Sequence, residues 1–214
     1  MEKETVFSPS QLFYLKIKSV LDVFFSVLMM PVLLFLMIVI KIIYLIKKEK
    51  GPLFYTQRRI GKDGKEFDII KFRTMTPDAE EELKRLLEDD ENKNEWEEYH
   101  KLKNDPRITP FGLFLRKSSI DEFPQFINVI AGDMAMIGPR PLVPGELKMH
   151  GGSDLYEKVK PGISGWWACN GRSVLTYKER LEYEYYYVKN VSLWMDIRVF
   201  FKTIACVISK AGAH

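Results

Sequence analysis

Cysteine and histidine are scarce in this chain. Cys169 and Cys206 lie far apart, and His100, His150 and His214 each stand alone, so neither a disulfide framework nor a zinc centre finds its ligands. A dominant charge is missing too: 32 Lys and Arg face 29 Asp and Glu, a formal net charge of +3. That balance argues against a nucleic-acid binder and confines anion recognition to local clusters. Common catalytic signatures are also absent. GKDGKEFD (61–68) lacks the spacing of a Walker loop, and no HExxH, GxSxG or dinucleotide fingerprint occurs. There is no internal repeat and no low-complexity segment. What remains is a chain of 214 residues, a length that fits one domain. Its aromatic content of 13% suits a dense core or a surface resting on a membrane.

The one long stretch without charge is VFFSVLMMPVLLFLMIVI, Val23 to Ile40, which just reaches the length of a membrane-crossing helix. No small-residue cleavage site follows it, so the segment is expected to be retained. Lys16 and Lys18 precede the run, while Lys41, Lys47, Lys48 and Lys50 follow it. Under the positive-inside rule both flanks belong on the cytoplasmic side. Pro31, near the middle, removes a helical hydrogen bond and predicts a bend. Basic flanks and a central breaker together predict a re-entrant helix that enters one leaflet and leaves on the same face, although spanning helices also tolerate proline.

Beyond this segment, LFYTQRRIGKDGKEFDIIKFRTM (53–75) reads as a β-hairpin turning at Asp63-Gly64. Phe67, Ile69 and Lys71 share one face of its second strand, and Lys71 and Arg73 leave the strand end together. A charged helix follows, with Thr76 as N-cap and Pro77 at its first position. NDPRITPFG (104–112) breaks that helix, and GPRPLVPGE (138–146) and KPGISGWWACNGR (160–172) are rigid irregular loops. Thr176 and Glu179 form a capping box before the next helix, and Ser192 precedes the last one. In that last helix Leu193, Trp194, Ile197, Phe200, Phe201, Ile204 and Ile208 recur at helical spacing. Core packing is the default explanation of the stripe, and burial at a membrane interface the alternative.

Between these elements lies SSIDEFPQF (118–126), where Asp121 and Glu122 are adjacent carboxylates. Phe123, Phe126, Ile127 and Ile130 give an apolar helical face that starts beside them. With Ser119 as N-cap, Glu122 is the reciprocal half of a capping box; with Asp121 as N-cap, Asp121 is a capping carboxylate. Spacing alone favours capping over catalysis. The surrounding cations shift the balance. Arg107, Arg116, Arg140 and Arg172 sit in constrained loops, besides Lys71 and Arg73, and arginine reads phosphate bidentately. Paired carboxylates can hold a divalent cation with substrate phosphates, and an aspartate can attack phosphorus, so phosphoryl chemistry becomes a serious option.

Four segments in order resemble the bacterial sugar transferase family, the monotopic phosphoglycosyl transferases, from about Lys16 to Lys202. They are residues 51–75, residues 105–146, KPGISGWWACNGR, and YYYVKNVSLWMDIRVF (185–200). The resemblance implies that Asp121 and Glu122 are the catalytic dyad, with Asp121 the nucleophile and both at a Mg²⁺ ion. It further implies functional basic positions at Lys71, Arg73, Arg116, Arg140 and Arg172 and a late acidic one at Asp196. Three departures stand out. Ser19 replaces an arginine after Lys18, Met30 replaces the serine before Pro31, and Glu184 replaces an aspartate before YYYV.

The expected protein is α+β and helix-rich, a monotopic membrane protein with an N-terminal re-entrant helix, a small β-hairpin and amphipathic interface helices. Residues 1–50 hold the tail and membrane helix, and 51–214 a cytoplasmic catalytic domain, the two forming one functional unit that resembles the small form of the family. The expected reaction moves a sugar-1-phosphate from a nucleotide sugar, a UDP-sugar, to polyprenyl phosphate, releasing UMP, at the cytoplasmic face of the bacterial inner membrane. Partners are those substrates and the lipid bilayer, and exposed interface helices would serve lipid contact or a homodimer equally. The rival is a membrane-anchored, non-catalytic scaffold that binds anionic lipid.

Overall fold

A computed structural model of the chain describes residues 6–99, 102, 105–170 and 176–209. Its first element, α1 (Pro9–Ile46), is far longer than the uncharged run. Ser8 and Gln11 close a capping box, and Pro9 takes the first helical position, where its missing N–H costs nothing. Pro31 lies inside this single helix. Lys18, Asp22, Ser26, Leu33, Ile40 and Tyr44 are buried. Their steps of four and seven trace one stripe along the helix, from Lys18 to Tyr44. Tyr14, Leu15, Met30, Leu36 and Met37 pack along its margins, while Phe13, Val20, Phe24, Phe35, Leu45 and Ile46 are exposed. The helix stops at Lys47; Lys48 and Gly51 then take left-handed backbone, with φ of 53° and 105°.

Strands β1 (Phe54–Ile60) and β2 (Glu66–Phe72) form the hairpin expected from the sequence, antiparallel with Tyr55 opposite Lys71 and Arg59 opposite Phe67. Asp63 and Gly64 carry the turn in left-handed backbone, at φ 55° and 76°. Because side chains alternate, the two faces of β2 enter different cores. Phe67 and Ile69 pack with Val129 and Met134, while Phe72 packs with Leu33, Ile40, Tyr44 and Leu115.

The charged helix is two helices, α2 (Ala79–Leu86) and α3 (Asp90–Tyr99). Thr76 does not cap the first: its N–H bonds Arg107 O, tying it to the segment before the next helix, and Asp78 takes the cap position. The break comes at Asp89, whose carboxylate accepts the N–H groups of Glu91 and Asn92 and so restarts the helix. Helix α4 (Pro110–Lys117) begins where the sequence predicts only a helix break, and Thr109 caps it through Gly112 N at 2.9 Å. A Cβ on Gly112 would stand 2.0 Å from Thr74 O, so only glycine lets α4 approach the end of the hairpin this closely.

Helix α5 (Gln125–Ala131) follows the carboxylates and ends at Gly132, φ 88°. Its buried face is Gln125, Asn128 and Val129, with Phe123 and Ile127 against the α1 core and Ile130 exposed. Asn128 clips it to β2, accepting from Ile70 N and donating to Asp68 O. Strands β3 (Ala135–Ile137) and β4 (Gly162–Ser164) pair in parallel, and the short α6 (Glu146–Met149) lies in the loop between them. The capping box of Thr176 and Glu179 opens α7 (Tyr177–Lys189), as expected, and Ser192 Oγ accepts Met195 N at the start of α8 (Leu193–Ser209).

The core default for α8 does not hold. Leu193, Trp194, Phe200, Phe201 and Ile204 are exposed, and Met195, Asp196 and Val199 are buried instead. The core claims the narrower stripe, which leaves the broad aromatic one outside. The chain is thus a helix-rich α+β protein with a long apolar N-terminal helix and a small antiparallel sheet.

Candidate active site

Asp121 and Glu122 occupy a single 3₁₀ turn, Ile120–Glu122, between α4 and α5. Neither capping arrangement exists: Ser119 makes no capping hydrogen bond, and Pro124 sits at the N-cap of α5. Ser119 instead adopts left-handed backbone at φ 56°, a conformation that costs a non-glycine residue roughly 1–2 kcal/mol. This strained residue stands at the start of the turn, with one residue between it and the acidic pair, and strain of this kind clusters at functional sites.

The two carboxylates differ. Glu122 is half-buried and paired with Lys71, whose Nζ lies 2.8 Å away. Asp121 is buried, and among the described residues no side chain hydrogen-bonds to it or pairs with it. Burial pushes its carboxyl up to about 6; Lys71 and Arg116 oppose the rise and Glu122 adds to it. Arg116 projects from the last turn of α4 and is steadied by Thr74, with Nε 2.9 Å from Oγ1. The structure therefore brings Lys71, Arg116, Asp121 and Glu122 together.

Other expected residues stand elsewhere. Lys71 and Arg73 do not leave the strand together, because β2 ends between them. Arg73 is buried, donating to Pro52 O at 2.8 Å and Met75 O at 2.9 Å, beneath the Tyr44 ring, and the Tyr44 hydroxyl bonds its carbonyl. It fastens the exit of α1 to the hairpin. Arg107 is likewise buried, engaged by both oxygens of Asp105. Arg140 has its backbone pinned on both sides, its N–H donating to Glu184 Oε1 at 2.9 Å and its carbonyl accepting from Tyr156. Glu184 is fully buried, which pushes its carboxyl up to about 8. Asp196 is buried at the joint of α1, α7 and α8, taking hydrogen bonds from Tyr14 and Tyr187 and the Lys18 ammonium at 2.8 Å. Arg172 lies outside the described residues.

Sequence reasoning misses the supporting groups: Thr74 behind Arg116, Asn128 behind α5, and Glu146 beside Arg140. The signal for Thr74 is its place directly after Arg73 at the strand end. Glu146 stands six residues after Arg140 in the same loop, which is its signal; Asn128 carries none, because its partners Asp68 and Ile70 are distant in sequence.

The family model described as bacterial sugar transferase matches residues 13–210. The chain is 43% identical, over 81% of its length, to a UDP-galactose-lipid carrier transferase of Erwinia amylovora, and 44% identical, over 80%, to an undecaprenyl-phosphate galactose phosphotransferase of Salmonella typhimurium. It spans only 37% and 36% of those two relatives. Against the exopolysaccharide production protein ExoY of Rhizobium meliloti it is 39% identical, covering 86% of this chain and 80% of that one. With the matched region enclosing α1, the hairpin and the dyad, the chain belongs to the bacterial sugar transferase family.

Proposed function

We propose that this protein transfers a sugar-1-phosphate from a UDP-sugar to a polyprenyl phosphate at the cytoplasmic face of the bacterial inner membrane. The observation that carries this reading is Asp121, a buried carboxylate without a side-chain partner among the described residues, between Lys71 and Arg116. Ionised, its oxygen attacks the phosphorus next to the sugar. The bond from that phosphorus to the bridging oxygen breaks, and UMP leaves with the oxygen. A phosphate oxygen of the lipid then attacks the same phosphorus and frees Asp121, giving polyprenyl-diphosphate sugar. Lys71 and Arg116 offset the repulsion between carboxylate and diphosphate.

The dyad fits Mg²⁺. Among the described residues no third His, Cys, Asp or Glu completes a protein-only cage, and Mg²⁺ characteristically takes one or two carboxylates and fills its shell with water and phosphate. Asp121 and Glu122 are the residues that would hold it, and when bound it would neutralise the diphosphate charge. The names of the relatives, with their UDP-galactose donor and undecaprenyl-phosphate acceptor, support the substrate assignment.

The membrane arrangement is re-entrant and monotopic. Supporting this, one body of protein grips α1 near both ends: Lys18 binds Asp196 of α8, and Tyr44 binds Arg73 after β2. The uncharged run Val23–Ile40 lies between those grips, so a helix crossing the bilayer there would draw the single body of protein that holds both ends into the hydrocarbon. The bare face of α1 and the exposed aromatic stripe of α8 rest in lipid.

Purified protein incubated with UDP-sugars, Mg²⁺ and polyprenyl phosphate is expected to release UMP. With donor and Mg²⁺ alone, mass spectrometry is expected to find a sugar-phosphate adduct on the Asp121 peptide. Intersecting initial-rate lines with no adduct would mean direct transfer, and no UMP from any donor would leave the scaffold. Tags at the two ends of α1 that label from opposite sides of the membrane would end the re-entrant reading.

A further inference from the structure

A second cluster of cations, apart from the dyad, has no place in the chemistry described so far. Arg140 Nη1 and Arg180 Nη2 both donate to Glu146 Oε1, at 2.7 and 3.3 Å, and the other oxygen of Glu146 accepts Val143 N. Arg59 stands beside them, bound to Pro141 O and Gln57, and its Nε is buried with no partner among the described residues. Burial and the neighbouring Arg140 pull the Arg59 guanidinium down to about 10, as expected where cations crowd. Glu184 behind Arg140 favours its neutral form. Three guanidiniums thus face one ionised carboxylate.

An aromatic stack adjoins them. Arg180 lies over the Tyr177 ring at 4.4 Å and over Trp167 at 5.9 Å, and the exposed His150 ring stacks on Tyr177 at 3.6 Å. Forked donors beside flat rings match a planar heterocycle that carries carbonyl oxygens.

The hairpin connects this cluster to the dyad. Tyr55 pairs with Lys71, which holds Glu122, and Arg59 pairs with Phe67 four residues further along. Paired residues share a face, so Lys71, Tyr55, Gln57 and Arg59 lie along one surface over about 13 Å. Helix α5 covers Phe67 and Ile69 on the β2 half, whereas Tyr55 on the β1 half is exposed. The reacting phosphorus must lie at Asp121, and its diphosphate partner is adjacent to it. A cluster a strand's length away therefore meets a part of the donor beyond the phosphates.

Resting on the proposed transfer reaction, we infer that Arg59, Arg140, Arg180 and the Tyr177 stack form the nucleoside pocket, which holds the pyrimidine base and ribose while the diphosphate reaches back to the dyad. The base joins the stack at its His150 end, and the guanidiniums take its carbonyls and the ribose hydroxyls.

Photo-crosslinking of the full chain with 4-thiouridine monophosphate, read by peptide mass spectrometry, tests this directly. The expected adduct lies on a peptide containing His150, Trp167 or Tyr177, and excess UMP suppresses it. In steady state, Arg180→Gln is expected to raise KM for the UDP-sugar and Kd for UMP by about 10-fold or more, with kcat falling far less and inhibition by inorganic phosphate unmoved. Crosslinks confined to other peptides, in protein that releases UMP normally, would overturn the pocket and leave the reaction standing. A loss of phosphate inhibition equal to that of UMP would make the cluster a phosphate site and also overturn it. Failure of the wild type to form UMP from any donor would remove the reaction itself, and the pocket with it.

Discussion

Asp121 and Asp196 are both buried aspartates, 8% and 7% exposed, and both stand near lysine, yet they are opposites. Both oxygens of Asp196 are committed, to Tyr14, Tyr187 and Lys18, so its charge serves to join α1 to α7 and α8. Asp121 stands two residues after a strained serine and has no committed side-chain partner among the described residues. A carboxylate with its bonds made is mortar, whereas one kept out of water with its bonds unmade is available for reaction.

The sharpest way to break this contrast is to neutralise each in turn. Asp121→Asn is expected to lower turnover by about 10³-fold or more and abolish the sugar-phosphate adduct, with an unchanged melting temperature. A residual rate near wild type would demote Asp121 from nucleophile. Asp196→Asn is expected to do the reverse. It leaves Lys18 with a weakened buried partnership, costing up to about 3–5 kcal/mol and read as a lower thermal midpoint, while folded molecules keep their turnover.

Protonation gives a finer test. With its carboxyl at about 6, metal-free Asp121 is expected to titrate near that value by NMR, and adduct formation should rise with pH through the same region; Mg²⁺ should move the midpoint down. Glu184, raised to about 8, has the stability sign of a group that binds its proton more tightly when folded. Its contribution is full below the ordinary glutamate range and fades as pH rises through about 8. Glu184→Gln keeps the acceptor for Arg140 N–H and lacks this fade, so the variant should gain on wild type in melts at increasing pH. The smallest effect is expected at Ser119→Gly, which relieves the left-handed serine and should stabilise by up to about 1 kcal/mol, seen as a slightly higher melting temperature.

Much of the site is legible in the order of residues alone. The dyad, Lys71 and Arg116 stand in punctuated segments, and they meet. The hairpin and the capping box of α7 are legible for a local reason: Asp63-Gly64 and Thr176–Glu179 act over a few residues. Helix α4 is hidden because Thr109-Pro110 reads equally as a stop for the preceding helix and a start for the next. The α8 stripe reads as core because helical periodicity reports an apolar face without saying what covers it.

The sequence by itself determined the carboxylate pair, the basic loops, the apolar run and its basic flanks, all matters of residue type and short spacing. Only the tertiary structure decided which charges are tied up and which remain. Arg73 turns to Pro52, Asp196 to α1 and α7, and Glu184 to the backbone of Arg140, and none of these choices is written in local spacing. The physical reason is that a buried polar group must find its partner wherever the fold brings one, across as many as 182 residues between Tyr14 and Asp196.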